Sequence, residues 1–456
     1  MKRILYFFLF FSLHACLGYA QVLDGAWKGD LKFGESVLPF VIHLQDTPAG
    51  VKAWAGSPKQ GVFNIPATAK IKGDSIFITV QGGIRVQGMF RKQDTMEATF
   101  YQGAVQLPLT LVRGNAERST AVPVLPRPQE PQLPYPYDTL AVTFKNSIDG
   151  LNLAGTLTFP KGGGKHPAVI LITGSGPQNR EEEFFGHKPF KVLADYLTRQ
   201  GIVVLRYDDR GVGKSEGNFQ KSTIEHFSKD AMAAFTFLVN QPMVDYNKVG
   251  IIGHSEGGLI ANLLAGQGLS HLSFIVSLAG PAIPIDKLMV QQLYAVGKAA
   301  GMSETQRAAA AKINARNFAI VKGNLPVDEA YKAIMTNMVD SAGIKPNTDV
   351  EVEMMTMLAP AYRYFMRINP EPFIRKIHIP VFAAYGSLDI QVPADSNLKN
   401  LFDLLPKNEK TVLKEYDGKN HLFQSAKKGT LDEYSQLTET MSPEVMHDIA
   451  QWIIGL

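Results

Sequence analysis

The sequence predicts two folded parts, a small antiparallel β domain followed by a larger α/β domain with a mostly parallel sheet. Three observations predict this. Over residues 23–113, short alternating segments such as 38–44, 75–80 and 95–101 recur between Gly, Asp and Asn turns, without a helical period. After Tyr137, apolar β-type runs alternate with helical runs, the pattern of parallel strands joined by crossover helices. Between the two lie Pro123, Pro126, Pro128, Pro131, Pro134 and Pro136, a density that leaves room for neither helix nor paired strand. The expected organisation is a leader over residues 1–20, a β domain over 21–114, a stiff linker over 115–137 and the α/β domain over 138–456.

In the first part, evenly spaced short strands suggest a small barrel or sandwich. Trp27, inside Gly25-Ala-Trp-Lys-Gly29, is expected to plug one end. A barrel this small is filled by side chains rather than by a ligand. In the second part the strand candidates are 166–173, 202–207, 249–252, 274–278, 380–385 and 411–416. Helices are expected over 190–200, 224–240 and 443–454. The alternation breaks once, over residues 284–372, which are helical and strand-poor. An insertion there is expected to cap the site. Its methionines, including Met354, Met355 and Met357, suit an apolar pocket, though ordinary helix packing accounts for any one of them equally well.

The chemistry centres on Gly253-His-Ser-Glu-Gly-Gly258. The β-type run Lys248-Val-Gly-Ile-Ile leads into it and the small-residue run Leu259-Ile-Ala-Asn-Leu-Leu-Ala leads out. A Gly-x-Ser-x-Gly turn between strand and helix is the nucleophile elbow of the α/β-hydrolase fold. Its serine is pushed above the sheet in a strained conformation, and side chains at Gly253 and Gly257 would collide with neighbouring backbone.

A serine hydroxyl needs a base, and the base an orienting acid, in the chain order Ser, Asp or Glu, His. The base should follow a late strand, which leaves His421 and His447. His447 falls inside the amphipathic terminal helix, whereas His421 sits in the loop Asp417-Gly-Lys-Asn-His421, so His421 is the candidate. Asp389, in the loop Gly386-Ser-Leu-Asp-Ile-Gln-Val-Pro393, is the candidate acid, with Asp417 as fallback. An oxyanion hole requires two backbone N–H groups. One is expected from Glu256, after the nucleophile, and the other from Ser175, with Gly176 as the alternative, in Gly174-Ser-Gly-Pro177. The Glu256 side chain is expected to pair with Arg180 or Arg210 as a buried anchor, with recognition of a substrate amine as the other reading. Gly211-Val-Gly-Lys-Ser215 looks like the end of a phosphate-binding loop, but Asp208 stands where that loop needs its first glycine. Asp208-Asp-Arg-Gly211 reads more simply as a turn bracing the site from behind.

Composition narrows the class. The net charge is +4 and no dense basic tract occurs, which argues against nucleic acid as a partner. Lys2 and Arg3, the apolar run 4–13 and Gly18-Tyr-Ala20 form a secretory leader, implying a secreted or periplasmic protein. Leu13-His-Ala-Cys16 offers the alternative of a membrane-anchored lipoprotein. Cys16 is the only cysteine, so cleavage after Ala20 removes every thiol, and with it disulfides and a cysteine nucleophile. No other apolar run is long enough to span a bilayer. Metal and dinucleotide fingerprints are missing, so no cofactor and no metal are expected. A homo-oligomer stays open.

The run Leu205-Arg-Tyr-Asp-Asp-Arg-Gly-Val-Gly-Lys-Ser215, together with Gly-His-Ser-Glu-Gly-Gly, resembles the serine-aminopeptidase-like branch of α/β-hydrolases. Further pieces narrow the likeness: Gly174-Ser-Gly-Pro-Gln178, Asn420-His-Leu-Phe-Gln424 with Glu433-Tyr and Thr440, Ser57-Pro-Lys-Gln60 and Leu107-Pro-Leu109. Together they are similar to exported bacterial carboxylesterase-like hydrolases with an N-terminal β domain. That resemblance implies hydrolysis of small short-chain acyl esters, with Ser255, Asp389 and His421 as the triad. The chain departs from the pattern at Asn179-Arg-Glu-Glu, where such proteins often carry Asp-Arg-Asp, which bears on substrate preference. A peptidase or amidase using the same triad is the rival reading, with Glu256 or Glu351 as the ammonium partner. A non-catalytic binding protein is the third.

Overall fold

The computed structural model describes residues 23–33, 36–47, 50–57, 62–80, 84–92, 94–102, 105–114, 125–343, 348–434 and 436–456. The expected leader and the first half of the proline-rich segment lie outside them. Among the described residues no helix is long and apolar enough to cross a membrane. The chain divides into two compact units, one drawn from residues up to Ser119 and one consisting mainly of Thr120–Leu456.

The first unit is a closed barrel of eight antiparallel strands in sequence order. They are β1 (Gly25–Phe33), β2 (Ser36–Thr47), β3 (Gly50–Ser57), β4 (Val62–Lys72), β5 (Ser75–Val80), β6 (Ile84–Lys92), β7 (Thr95–Gln102) and β8 (Val105–Arg113). Closure comes from β1 on β8, with Trp27 opposite Arg113. The period-two pattern explains the inside and outside: β5 buries Ile76, Ile78 and Val80 and turns the residues between them outward. Of the two architectures that the sequence left open, the barrel is the one adopted. Trp27, Phe40, Ile42, Met96, Phe100 and Leu111 are all buried in this unit. Trp27 lies with its ring centroid 5.4 Å from that of Phe90, and its Nε1 donates to the Leu23 carbonyl at 3.1 Å.

The second unit has the α/β-hydrolase fold. Its sheet contains β9 (Asp138–Asn146), β10 (Leu151–Phe159), β11 (His166–Ile172), β12 (Val203–Tyr207), β13 (Val244–His254), β14 (Leu272–Leu278), β15 (Val381–Gly386) and β16 (Val412–Tyr416). The order is β16-β15-β14-β13-β11-β12-β10-β9. Strands β11 to β16 run parallel, and β12 and β15 are buried along their whole length, which is why they read as unbroken apolar runs. The antiparallel β9–β10 pair at the edge is an element that the sequence reading did not single out.

Helices α1 (Pro189–Arg199), α2 (Ile224–Val239), α3 (Glu256–Gly266), α10 (Ala394–Leu404) and α12 (Pro443–Ile454) alternate with the strands. Between β14 and β15 the chain inserts α4 (Ile285–Ala299), α5 (Glu304–Lys322), α6 (Val327–Ala342), α7 (Thr348–Met357), α8 (Pro360–Met366) and α9 (Glu371–Ile374). A short α11 (Leu431–Tyr434) precedes the last helix.

Residues 125–137 form neither helix nor strand, yet they are fastened to the second unit. Arg127 Nη2 donates to the Phe185 carbonyl at 3.1 Å, and the Gln129 amide donates to the Met441 carbonyl at 2.6 Å. Glu130 holds Lys188 at 2.8 Å and Lys191 at 3.1 Å. The Tyr137 hydroxyl donates to Asp195 at 2.8 Å. This stretch of the proline-rich segment is therefore a strap laid against its own domain.

Because Trp27 is wholly buried inside a small barrel, Trp27→Ala is expected to cost about 3–5 kcal/mol of barrel stability. The check is the midpoint of the corresponding transition in chemical denaturation of the full chain.

Candidate active site

In an open parallel sheet the carboxyl ends of the strands form the natural binding crevice. Four loops leave those ends here, carrying Gly174 after β11, Ser255 after β13, Asp389 after β15 and His421 after β16.

The turn at Ser255 has no spare room. Its φ is 53° and ψ is −117°, a conformation that side-chain-bearing residues rarely adopt. A Cβ on Gly253 would stand 2.1 Å from the Gly257 carbonyl oxygen, and one on Gly257 would stand 2.1 Å from that of Ile172. Both glycines are thus required for α3 to start directly against β11 and β13. The Ser255 amide donates to the Leu278 carbonyl at 2.8 Å, which ties the turn to the end of β14.

Across the crevice, His421 Nδ1 lies 2.7 Å from Asp389 Oδ2, and both residues are 5% exposed. The other oxygen, Asp389 Oδ1, accepts the amides of Gln391 at 2.8 Å and Val392 at 2.9 Å. The carboxylate therefore cannot swing away from the ring. The run Asn420-His-Leu-Phe-Gln424 folds into a stitched loop. Asn420 Oδ1 accepts the amides of Leu422 and Gln424 at 3.1 and 2.9 Å, and Gln424 donates to the Glu439 carbonyl at 2.8 Å. Thr440 lies 3.0 Å from buried His187, whose pKa burial lowers to about 4. The rejected alternatives lie elsewhere. Asp417 accepts the Ser387 hydroxyl, and His447 faces the Tyr196 hydroxyl at 3.4 Å.

On the remaining side, Ser175 and Glu256 face each other. The Ser175 hydroxyl donates to Glu256 Oε2 at 3.0 Å. Among the described residues, neither backbone amide of this pair has a hydrogen-bond partner. Ser175 and Glu256 both line the cavity that Ser255 and His421 line, whereas Gly176 lines a smaller neighbouring one, which Glu256 also reaches. The Gly174 amide is already committed to Glu182 Oε1 at 2.7 Å.

The expected pairing of Glu256 with an arginine is not made. Arg180 is held by Asp208 at 2.6 Å, and Arg210 by Asp230 at 2.6 Å and Asp149 at 2.8 Å. Both guanidiniums thus have nearer carboxylates that were buried for them. Burial raises the Glu256 pKa, with the Ser175 hydroxyl pulling the other way. Beneath it, burial pushes Asp209 well above the carboxylate range, although the Gln178 amide and the Thr173 hydroxyl both donate to it.

Two site residues were missed in the sequence, His254 and Glu182. His254 Nδ1 lies 2.8 Å from Glu182 Oε1, and its Nε2 lies 2.9 Å from the His421 carbonyl oxygen. His254 occupies the unspecified position of the serine turn, and Glu182 sits in the run Asn179-Arg-Glu-Glu, so neither carries a motif signal. That run proves largely structural: Arg180 binds Asp208, Glu181 binds Arg206 at 2.8 Å, and Glu182 binds His254.

These loops open on a cavity of about 300 Å³. Ser255 and His421 line it, with Leu288, Met289 and Phe365 from the insertion and Val392 and Leu422 from the sheet side. Of the insertion's methionines, Met289 is the one found in this wall. Met354 is buried in helix packing and Met355 is half exposed, so the 354–357 cluster does not form the pocket. Glu351 is exposed on α7 and does not line this cavity.

The esterase EstD of Thermotoga maritima is 27% identical over 66% of this chain and 65% of its own length. The polyketide transferase claH of Penicillium crustosum is 31% identical over 31% of this chain and 47% of its own. The chain thus spans less than two thirds of the length of these relatives. Among solved structures, an esterase of Pyrococcus furiosus aligns with a TM-score of 0.44 at 16% identity, over 70% of this chain and 91% of that one. Residues 188–425, which carry the serine turn, the helical insertion and both the Asp389 and His421 loops, match the family described as serine aminopeptidase, S33, and the chain belongs to that family.

Proposed function

We propose that this chain is a serine hydrolase that cleaves short-chain carboxylic esters through an acyl-enzyme, with Ser255 as nucleophile, His421 as base and Asp389 as orienting acid. The observation that carries the reading is the 2.7 Å contact of His421 Nδ1 with Asp389, in a cavity that Ser255 shares. With Nδ1 committed to the carboxylate, His421 Nε2 is the nitrogen left to take the serine proton. Ser255 attacks the acyl carbon while Asp389 steadies the imidazolium that forms. The negative charge passes to the carbonyl oxygen, which the Ser175 and Glu256 amides receive. Their side-chain bond fixes the spacing of the two donors. His421 then protonates the leaving alcohol, and water repeats the cycle on the acyl-enzyme.

The name of EstD supports an ester rather than an amide substrate. The apolar wall of Leu288, Met289, Phe365 and Val392 suits a short acyl chain. An aminopeptidase reading keeps one specific support, the Glu256 carboxyl in the cavity wall, which an ammonium group could approach. Export rests on the charge and apolar pattern of residues 2–20, with lipidation at Cys16 as the alternative.

The test sets the mature protein beside Ser255→Ala on p-nitrophenyl acetate and butyrate and on aminoacyl p-nitroanilides. Ester turnover is expected, falling at least about a thousandfold in the variant, with the anilides untouched. Anilide turnover of comparable efficiency would replace the ester reading with the peptidase one. A second variant, Asp389→Asn, is expected to lower kcat by about 10³–10⁴, because the ring is then held in the wrong tautomer. Unchanged kcat for Asp389→Asn would remove Asp389 from the mechanism.

A further inference from the structure

The proposed mechanism makes no use of His254, although it adjoins Ser255 and is 5% exposed. Its ring meets two oxygens, Glu182 Oε1 through Nδ1 and the His421 carbonyl through Nε2. A carbonyl oxygen only accepts, so Nε2 carries a proton. Glu182 Oε1 also accepts the Gly174 amide at 2.7 Å, and an ionised Glu182, which only accepts, meets both contacts when Nδ1 is the donor. A ring that donates to both oxygens is an imidazolium, and with an ionised Glu182 the 2.8 Å contact is then a buried ion pair.

These bonds join three separate loops. Glu182 holds the Gly174 amide of the oxyanion loop, His254 belongs to the serine turn, and the His421 carbonyl belongs to the base loop. We propose that His254 is a positioning residue that works only as an imidazolium: with Glu182 it fixes the base loop against the oxyanion loop, and loss of its proton slackens the site. This inference rests on the serine-hydrolase reading for its kinetic consequence, while the charge on His254 can be read without turnover.

The charged and titratable groups facing the ring come from several elements. Glu182 approaches from the loop before α1, Asp389 from the loop after β15, and the His421 ring from the loop after β16, with centroids 4.7 Å apart. Glu256 at the start of α3 lines the same cavity, and Asp209 after β12 feels the charges of both Glu256 and Glu182. Burial works against a charged His254. The charge and hydrogen bond of Glu182, the His421 carbonyl and Asp389 outweigh it, and the pKa is left raised. A raised histidine pKa means the lock is complete at low pH and lost as pH rises through that value. A neutral ring donates from one nitrogen only, so one of the two bonds must then fail. The consequence is a fall of kcat on the alkaline side.

The experiment uses the full mature chain as wild type, Glu182→Gln and His254→Gln. Glu182→Gln keeps an oxygen for the Gly174 amide but removes the charge. His254→Gln keeps an N–H for the His421 carbonyl but cannot titrate. Nitrogen NMR of labelled histidine rings, with the His254 signals identified by their absence in His254→Gln, is followed from pH 6 to 10, alongside kcat on p-nitrophenyl butyrate. In the wild type both His254 nitrogens are expected to be protonated at pH 7 and to titrate with the alkaline limb of kcat. In Glu182→Gln both midpoints move acidward by about one to three pH units. In His254→Gln the limb disappears and kcat falls about ten- to a hundredfold, with KM within about twofold. A neutral His254 at pH 7 overturns the inference. So does a wild type without an alkaline limb, or a limb shared unchanged by wild type and His254→Gln. If no ester is turned over at any pH, the ester reading fails instead, and the ring titration still decides whether His254 is the imidazolium proposed.

Discussion

The start of α3 against β11 is the contact on which the rest of the catalytic unit depends. Gly257 lies so close to Ile172 that no Cβ fits, and Gly253 lies equally close to Gly257. That approach forces Ser255 into its positive φ, at a cost of about 1–3 kcal/mol that the surrounding sheet must absorb. Absorption comes from continuity, since β11, β13 and β14 are buried and parallel, and the Ser255 amide is tied to Leu278. The same turn brings the Glu256 amide beside the Ser175 loop and places His254 against Glu182. A looser turn would lose all of these relations together.

Behind the crevice the structure solves a harder problem, the burial of many charges at the ends of strands. Each guanidinium is paired with a carboxylate at hydrogen-bond distance: Arg180 with Asp208, Arg206 with Glu181, Arg210 with Asp230. Breaking such a pair by removing one partner leaves a buried unpaired charge, at a cost of about 3–5 kcal/mol. These pairs therefore act as rigid struts under the loops. Among the described residues Asp209 and Glu256 have no such cation, and burial raises both pKa values. The front of the site is accordingly poor in positive charge except where His254 supplies it.

How far the sequence disclosed this depends on the range of each interaction. The serine turn was legible because its requirement is local: two glycines and a serine between a strand and a helix. The meeting of Asp389 with His421 was legible because chain order and strand spacing leave few loops to choose from. Glu182 and His254 were not, because they meet across 72 residues and neither carries a local signature. Glu256 was assigned to the wrong partners for a related reason, as Asp208 and Asp230 compete for the same arginines. The β9–β10 pair escaped because β9 is exposed along most of its length, with Phe144 and Asn146 its buried residues, so its apolar period is weak. Methionine content alone does not separate pocket from packing in the insertion: Met354 is buried outside the cavity wall, which takes Met289.

The division of labour between sheet and insertion follows from where each wall of the cavity comes from. Ser255, His421, Glu256 and Ser175 stand on loops next to buried strands, and hydrogen bonds of backbone and side chain hold them. Leu288, Met289, Gln292 and Phe365 stand on helices α4 and α8 of the insertion. Substitutions in the insertion can therefore reshape the acyl side of the cavity without moving the reacting atoms. The sheet loops have less such freedom, because Asp389, Asn420 and Glu182 each hold backbone amides of these loops in place. On the proposed ester reading, selectivity among acyl groups falls to α4 and α8, and the reaction to the turns after β11, β13, β15 and β16.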